Sequence, residues 1–305
     1  MDTSASPKDL FRRNSRSFSL AARFFSPDDQ MAVARLYQFC RYLDDLADDT
    51  TTGDQTRLNR ARERLTNPNT APADSVEFDF IALSEERSIP LGPALDLIDA
   101  LHADCGERSI RDEAGLIQFA YGVAGTVGRM MRHVIDARDE RADAFAIDLG
   151  IGLQLSNVIR DVAEDAQRGR YYLPAAWVEP ETIRRAMGGE AGATAAVDTA
   201  VQRTHDLAED YYQSARRGFV YIPERNRRVI FLAAAFYQAI GQKVVRQSPG
   251  GWRQRTVVGP LAKLAILLRA PVAYRRWKRL DWLPNPEPLH DATLHEAFAQ
   301  SNLSG

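Results

Sequence analysis

The stretch that decides the fold runs from residue 149 to residue 174 and reads LGIGLQLSNVIRDVAEDAQRGRYYLP. Four of its polar residues are spaced three or four apart, so they share one face of a helix: Gln154, Asn157, Asp161 and Asp165. The other positions are largely apolar, and ionised acids there are costly unless they are paired or bind metal. The stretch therefore predicts an apolar helix with a metal site, or alternatively structural ion pairs with Arg160 and Arg168.

A second acidic cluster lies upstream, where Asp44 and Asp48 are one helical turn apart and Arg41 lies one turn before them. Alone, this cluster is more typical of a solvated acidic helix end than of a metal site. Together, two carboxylate pairs flanked by arginines suit Mg²⁺, which binds a few carboxylates along with substrate phosphate oxygens. Such a site fits the departure of a diphosphate, and the carbocation left behind needs an apolar cavity without water.

The bulk composition excludes several other classes of protein. The chain has 305 residues, 45% of them hydrophobic, and a net charge of −2, which argues against a general nucleic-acid binder. The two cysteines, Cys40 and Cys105, lack zinc-site spacing. There is no secretory signal pattern and no apolar run near the ~18 residues of a membrane span. We expect a cytoplasmic protein, soluble or peripheral on the inner face of the membrane.

Apolar residues recur at helical spacing along nearly the whole chain, and alternating strand patterns are absent. The predicted helices are 27–49, 56–65, 76–87, 93–103, 113–137, 142–167, 191–219, 224–246 and 259–279. No linker separates the two acidic clusters, so we predict one domain over residues 1–305. Residues 281–305 are proline-rich and then polar, and they predict a loose tail.

Four pieces of the sequence resemble the squalene/phytoene synthase family, most closely its bacterial phytoene synthases. They are residues 149–174, the first acidic cluster, NSRSFS at 14–19 and YGVAGTVGRMM at 121–131. The resemblance extends from about residue 11 to residue 279. It implies an all-α, single-domain helical bundle of the isoprenoid synthase type around a central cavity, with the acidic clusters facing each other across its mouth.

The resemblance also implies roles for individual residues. Asp44, Asp48, Asp161 and Asp165 would bind Mg²⁺, or Mn²⁺, and diphosphate, with Asn157 as a further metal ligand. Tyr172 would join the four aspartates as a catalytic residue. The remaining substrate-binding residues would be Ser15, Ser17, Tyr37, Arg41, Tyr121, Gln154, Arg160, Arg170, Tyr237 and Arg255. Tyrosine faces attract cations, although each of these tyrosines is equally consistent with ordinary packing.

The activity implied is the magnesium-dependent, head-to-head condensation of two geranylgeranyl diphosphates to phytoene, early in carotenoid biosynthesis. The reaction would pass through a cyclopropylcarbinyl diphosphate and would need no nicotinamide cofactor. One alternative is the same chemistry on two farnesyl diphosphates, giving squalene, presqualene diphosphate or dehydrosqualene. A terpene cyclase and a non-catalytic assembly factor are more distant alternatives.

Two further features are open to two interpretations. The segment 253–280 carries eight basic residues and no acid, with leucines interleaved; it predicts either contact with an anionic membrane or a solvated helix face. Glycines 122, 125 and 128 recur in a helical stretch, where each costs helix stability. They indicate either a thinned wall that admits a prenyl chain or close helix packing.

Overall fold

The computed structural model describes residues 18–48 and 56–299, with the side chains of 18, 19 and 299 excepted. The helices are α1 (Phe18–Ala22), α2 (Pro27–Asp48), α3 (Thr56–Thr66), α4 (Val76–Arg87), α5 (Gly92–Ala103), α6 (Glu113–Ala120), α7 (Thr126–Val134), α8 (Ala142–Gln167), α9 (Pro180–Met187), α10 (Ala191–Gly218), α11 (Glu224–Arg246), α12 (Pro260–Trp277) and α13 (Glu296–Ala299). A two-residue parallel ladder pairs β1 (Arg108–Ser109) with β2 (Arg170–Tyr171). The predicted all-α class is confirmed.

Helix α8 is the central element of the bundle, and it packs against α7, α10 and α11. Its apolar positions, including Ile151, Leu155 and Ile159, are fully buried. Burial of these side chains removes them from water at roughly 1.5–3 kcal/mol each. Two apolar cores form around the bundle, and Val123 and Leu149 pack against both.

Local sequence explains where several helices begin. Ser75 precedes α4, and its hydroxyl accepts a hydrogen bond from the Phe78 amide at 3.2 Å. Asp112 precedes α6 and accepts from the Gly115 amide at 3.0 Å. Such caps satisfy amide groups that have no partner inside the helix. Helix α9 was not predicted, because its eight residues are too few to establish a helical period.

The predicted helix 113–137 is divided in the structure. A π-helical turn at Tyr121–Gly125 separates α6 from α7, and α7 ends at Val134. The glycines in this region serve close packing. A Cβ on Gly122 would lie 2.5 Å from the Ala100 side chain, and one on Gly128 would lie 2.1 Å from the Ala146 carbonyl oxygen. Gly128 also lines a central cavity. At this residue the missing side chain therefore both permits close helix packing and thins the cavity wall.

The prediction of a loose tail is wrong for residues 290–298, which we call the C-terminal segment. His290 and His295 both bond to the buried Asp148 of α8. The Phe298 ring stacks on Tyr121 with centroids 4.2 Å apart. Proline-rich polar sequence gave no periodic signal of this docking, because it is held by single polar and aromatic contacts.

By length and composition alone, α8 is apolar enough to cross a membrane. Within the protein, however, 61% of its most apolar stretch is buried. A core helix of a soluble protein meets the same criterion, so this helix is weak support for a membrane span.

Candidate active site

The two acidic clusters line one polar cavity of about 310 Å³, which we call the mouth. Helix α2 contributes Asp44 and Asp48, and α8 contributes Asp161 and Asp165. The i, i+4 spacing keeps each pair on one helix face, as the sequence indicates. The mouth thus collects four carboxylates from segments more than a hundred residues apart in the chain.

Arginines bind these carboxylates within the mouth. Arg170 Nη1 donates to Asp48 Oδ1 at 3.0 Å, which links the segment after α8 directly to α2. Arg160 binds Asp161 through two hydrogen bonds, of which Nε to Oδ1 is 2.8 Å. The guanidinium geometry suits bidentate recognition of carboxylate and of phosphate alike. The same arginines could therefore exchange an aspartate for a diphosphate oxygen.

Two of the four carboxylates lie in an unfavourable environment for a charge. Burial, reinforced by Asp48, Asp45 and Asp104, raises the pKa of the Asp44 carboxyl to about 7, against the opposing effect of Arg41.

Burial, with Asp161 and Glu164 nearby, likewise raises the pKa of Asp165 to about 7. Half-buried acids that repel one another are stabilised in the ionised form by a cation. The donor set is all oxygen, as magnesium prefers, so the residues present fit a divalent ion.

Asp104 is a fifth acid of the mouth, and the sequence analysis missed it. It follows α5, and its Oδ2 accepts a hydrogen bond from the Tyr172 hydroxyl at 2.7 Å. The Tyr172 ring stacks on Phe119 with centroids 4.4 Å apart. Burial, and then the Asp104 carboxylate, raise the pKa of the Tyr172 phenol. The hydroxyl thus stays protonated and fixed in direction.

Beneath the mouth lies an apolar cavity of about 310 Å³. Asp44, Gln154 and Asn157 border both cavities, so they stand where the polar mouth passes into the apolar space. Tyr37 and Tyr237 line the upper part, and burial raises the pKa of Tyr37 to about 12. The other walls are mostly small or aliphatic side chains: Leu36, Ala137, Ala142, Leu153, Ala215, Ile230, Ala233 and Ala234.

The structure thus brings most of the predicted site residues together. The mouth is lined by Arg41, Asp44, Asp48, Gln154, Asn157, Arg160, Asp161, Asp165, Arg170 and Tyr172. Arg255 stands at the rim, with Nε 3.4 Å from Asp161 Oδ1. Tyr121 lies outside the walls of both cavities, where its hydroxyl accepts from Arg129 at 3.4 Å. Ser15 and Ser17 lie outside the described residues.

A mouth of acids and arginines above an apolar, helix-lined cavity suits a ligand with a charged head group and an apolar chain. Residues 11–262 match the family model of squalene/phytoene synthase. The chain belongs to that family, and it is a prenyltransferase. Enzymes that act on prenyl diphosphates are generally metal-dependent. Prenyl diphosphate substrates are consistent with the family to which this chain belongs.

Relatives and solved structures agree with this assignment. The chain is 33% identical to a 15-cis-phytoene synthase of Enterobacter agglomerans, over 84% of this chain and 90% of that protein. It is 32% identical to a phytoene synthase of Pseudescherichia vulneris, over 90% and 93%. A crystal structure of a dehydrosqualene synthase superposes with a TM-score of 0.74 at 24% identity, over 88% and 95%. The last likeness concerns the fold alone.

Proposed function

We propose that this enzyme condenses two geranylgeranyl diphosphates head to head to give phytoene. The observation that carries the proposal is the acid-and-arginine mouth that continues into an apolar cavity. The C20 substrate is favoured over the C15 alternative because the relatives similar over most of their length are named phytoene synthases. Small side chains on the cavity walls, such as Ala215, Ala233 and Ala234, leave room for a long chain.

Each part of the site has a role in this chemistry. Asp44, Asp48, Asp161, Asp165 and Asn157 would hold divalent ions, magnesium first and manganese as a substitute. When bound, these ions would neutralise the charge that develops on the departing diphosphate.

Other side chains would act on the substrates directly. Arg41, Arg160 and Arg170 would bind diphosphate oxygens, with Arg255 closing the rim. Gln154 would orient the head group where the mouth passes into the apolar cavity.

The aromatic hydroxyls and the dry cavity would control the cation. Tyr37 and Tyr237 place polarisable rings on the cavity wall, and Tyr172 is held in one orientation by Asp104. A ring face stabilises a nearby cation, and apolar walls keep away the water that would quench it. The second substrate's double bond would attack the allylic cation, and loss of one proton would close the ring of the cyclopropylcarbinyl diphosphate. Departure of the second diphosphate, rearrangement and loss of another proton would then give the product without a nicotinamide cofactor.

The test is the carbon number of the product. Purified enzyme is incubated with geranylgeranyl or farnesyl diphosphate and Mg²⁺, with and without NADPH, and products are identified by mass spectrometry. We expect a C40 product from the C20 substrate alone, with no effect of NADPH. A product formed only from farnesyl diphosphate would contradict the C20 assignment while preserving the reaction type.

A variant pair tests the proposed acids. Asp48→Ala combined with Asp165→Ala should abolish turnover while circular dichroism shows unchanged helicity. Asp210→Ala, which removes an exposed acid of α10, is the matched control and should keep full activity. Retained turnover in the double variant would refute the assignment of these aspartates.

We further propose that α12 rests on an anionic membrane, to which the apolar product is delivered. Leu261, Leu264, Leu268 and Val272 are exposed by 83%, 51%, 71% and 68% and form one outer stripe of the helix. The opposite face packs inward through Tyr274 and Trp277. Basic residues flank the stripe, and 253–280 has no acid. A helix face that is both cationic and apolar suits an anionic bilayer surface. The cytoplasmic location expected from the sequence stays a prediction.

Vesicle flotation tests this membrane contact. Binding should require anionic lipid, decline at high salt and weaken in Leu268→Ser. Leu289→Ser, at a leucine outside the stripe that is 79% exposed, is the control and should bind like the parent protein. Equal binding to neutral vesicles, or no effect of Leu268→Ser, would exclude this mode of contact.

A further inference from the structure

A cluster of three potential metal ligands lies away from the mouth. Asp148 of α8 is completely buried, and its two carboxylate oxygens face two histidines of the C-terminal segment. Its Oδ2 is 2.9 Å from His290 Nε2, and its Oδ1 is 2.7 Å from His295 Nε2. The acid and its partners are 142 and 147 residues apart in sequence, so only the folded chain assembles the cluster.

The geometry of the cluster matches what a metal ion requires. One carboxylate oxygen and the two imidazole nitrogens lie within 4.8 Å of one another. Ligand atoms about 2.0–2.2 Å from a zinc ion are roughly 3 Å apart, and the two oxygen-to-nitrogen distances are already close to that value. The imidazole rings, with centroids 4.2 Å apart and tilted by 45°, each face one oxygen of the same carboxylate.

The electrostatics of the cluster favour a cation. A fully buried carboxylate is costly unless its charge is compensated. The Asp148 carboxylate is fully buried, and the two histidines face its oxygens at hydrogen-bond distance. The Ser214 hydroxyl of α10, 5% exposed, also interacts with this carboxylate. A cation bound between the carboxylate and the imidazoles would compensate a buried negative charge.

Solvent can reach the cluster. His290 and His295 form part of the wall of a surface cavity of about 340 Å³, and Glu140 and Asp143 lie on the same wall. Both histidines retain some exposure, 14% and 16% of their side chains. Arg141 lies on this wall as well, and Asp143 is paired with Arg129 and Arg132. An ion could therefore reach the imidazole nitrogens from this cavity, while the carboxylate stays buried behind them.

We propose that Asp148, His290 and His295 form a binding site for a divalent transition-metal ion of the zinc type, which fastens the C-terminal segment to α8. Imidazole nitrogen favours zinc, cobalt or nickel over magnesium, so this site and the all-oxygen mouth select different ions. On binding, each Nε2 offers its lone pair to the metal, and any proton it carries moves to Nδ1 or to solvent. The proposal is independent of the proposed function.

The bound ion would also secure contacts further along the segment. The Leu294 carbonyl oxygen accepts a hydrogen bond from the Tyr211 hydroxyl at 2.7 Å. Phe298 stacks on Tyr121, the first residue of the π-helical turn that packs against α8. A metal at Asp148 would thus fix the C-terminal segment against the helix that carries Asp161 and Asp165.

Metal titration of the whole protein tests the proposal. Protein stripped with EDTA is titrated with Zn²⁺ by calorimetry in excess Mg²⁺, which occupies the mouth, and bound zinc is counted by mass spectrometry. We expect one zinc per chain. Affinity should fall by about tenfold or more in His295→Gln and stay within about twofold in His102→Gln, a histidine of α5 outside the cluster.

A second measurement identifies the metal ligands by spectroscopy. In the parent protein, Zn²⁺ should shift the side-chain ¹⁵N resonances of two histidines, and Co²⁺ should give the visible bands of a nitrogen-ligated site of low coordination number. His290→Gln should abolish both effects. Absence of zinc binding in excess Mg²⁺, or equal binding by the parent and both cluster variants, would overturn the proposal and leave a purely hydrogen-bonded attachment.

Discussion

Asp165→Asn should stabilise the metal-free protein while it destroys the activity. The pKa of the Asp165 carboxyl is raised from 3.8 to about 7 in the folded protein. Ionising the group as pH rises therefore disfavours folding. The penalty begins above the unfolded pKa of about 4 and is complete above about pH 7.

The magnitude follows from the shift in pKa. Three pKa units at about 1.4 kcal/mol each set an upper limit of about 4 kcal/mol at pH 8. Solvent in the mouth screens this charge, and we expect a gain of about 2 kcal/mol at pH 8 and under about 1 kcal/mol at pH 5. Asparagine keeps the shape of the side chain and removes only its charge.

Urea unfolding in EDTA at both pH values measures this difference, with Asp210→Asn as the control at an exposed site. Added Mg²⁺ should raise the unfolding free energy of the parent protein at pH 8 more than that of Asp165→Asn. The interpretation would be refuted if Asp165→Asn were less stable than the parent protein at pH 8, or if the two proteins differed in unfolding free energy by the same amount at both pH values. Either result would mean that repulsion between these carboxylates does not destabilise the metal-free protein.

Three further perturbations test the packing and the mouth. Gly150→Ala would place a Cβ 2.2 Å from a backbone carbonyl oxygen of the π-helical turn. This variant should lower the unfolding free energy by about 1–3 kcal/mol. Gly192→Ala, with open space around the new Cβ, is the control and should raise the unfolding free energy slightly. Tyr172→Phe removes the hydroxyl bonded to a buried carboxylate; urea unfolding should show a loss of about 1–3 kcal/mol, and turnover should fall. Arg170→Gln loses a half-exposed ion pair with Asp48, so stability should change by less than about 1 kcal/mol while steady-state kinetics show a raised KM.

Much of the fold and of the candidate site could be predicted from the sequence because the apolar and acidic residues recur with a helical period. The apolar positions of α8 and the carboxylate spacing of Asp161 and Asp165 follow from one helical repeat. Asp104 carries no such signal, because its partner Tyr172 is 68 residues away in the chain and only the fold joins them. Tyr121 illustrates the opposite case. The family resemblance implies that Tyr121 binds substrate, whereas the Tyr121 ring stacks on Phe298, outside both cavities.

The docked C-terminal segment has a practical consequence for work on this enzyme. Truncation at residue 281, where the sequence turns proline-rich, would remove both histidines and leave Asp148 as a charged acid inside an apolar core. It would also uncover the outer ring face of Tyr121. We therefore expect a protein shortened in this way to lose stability at α8, its central helix.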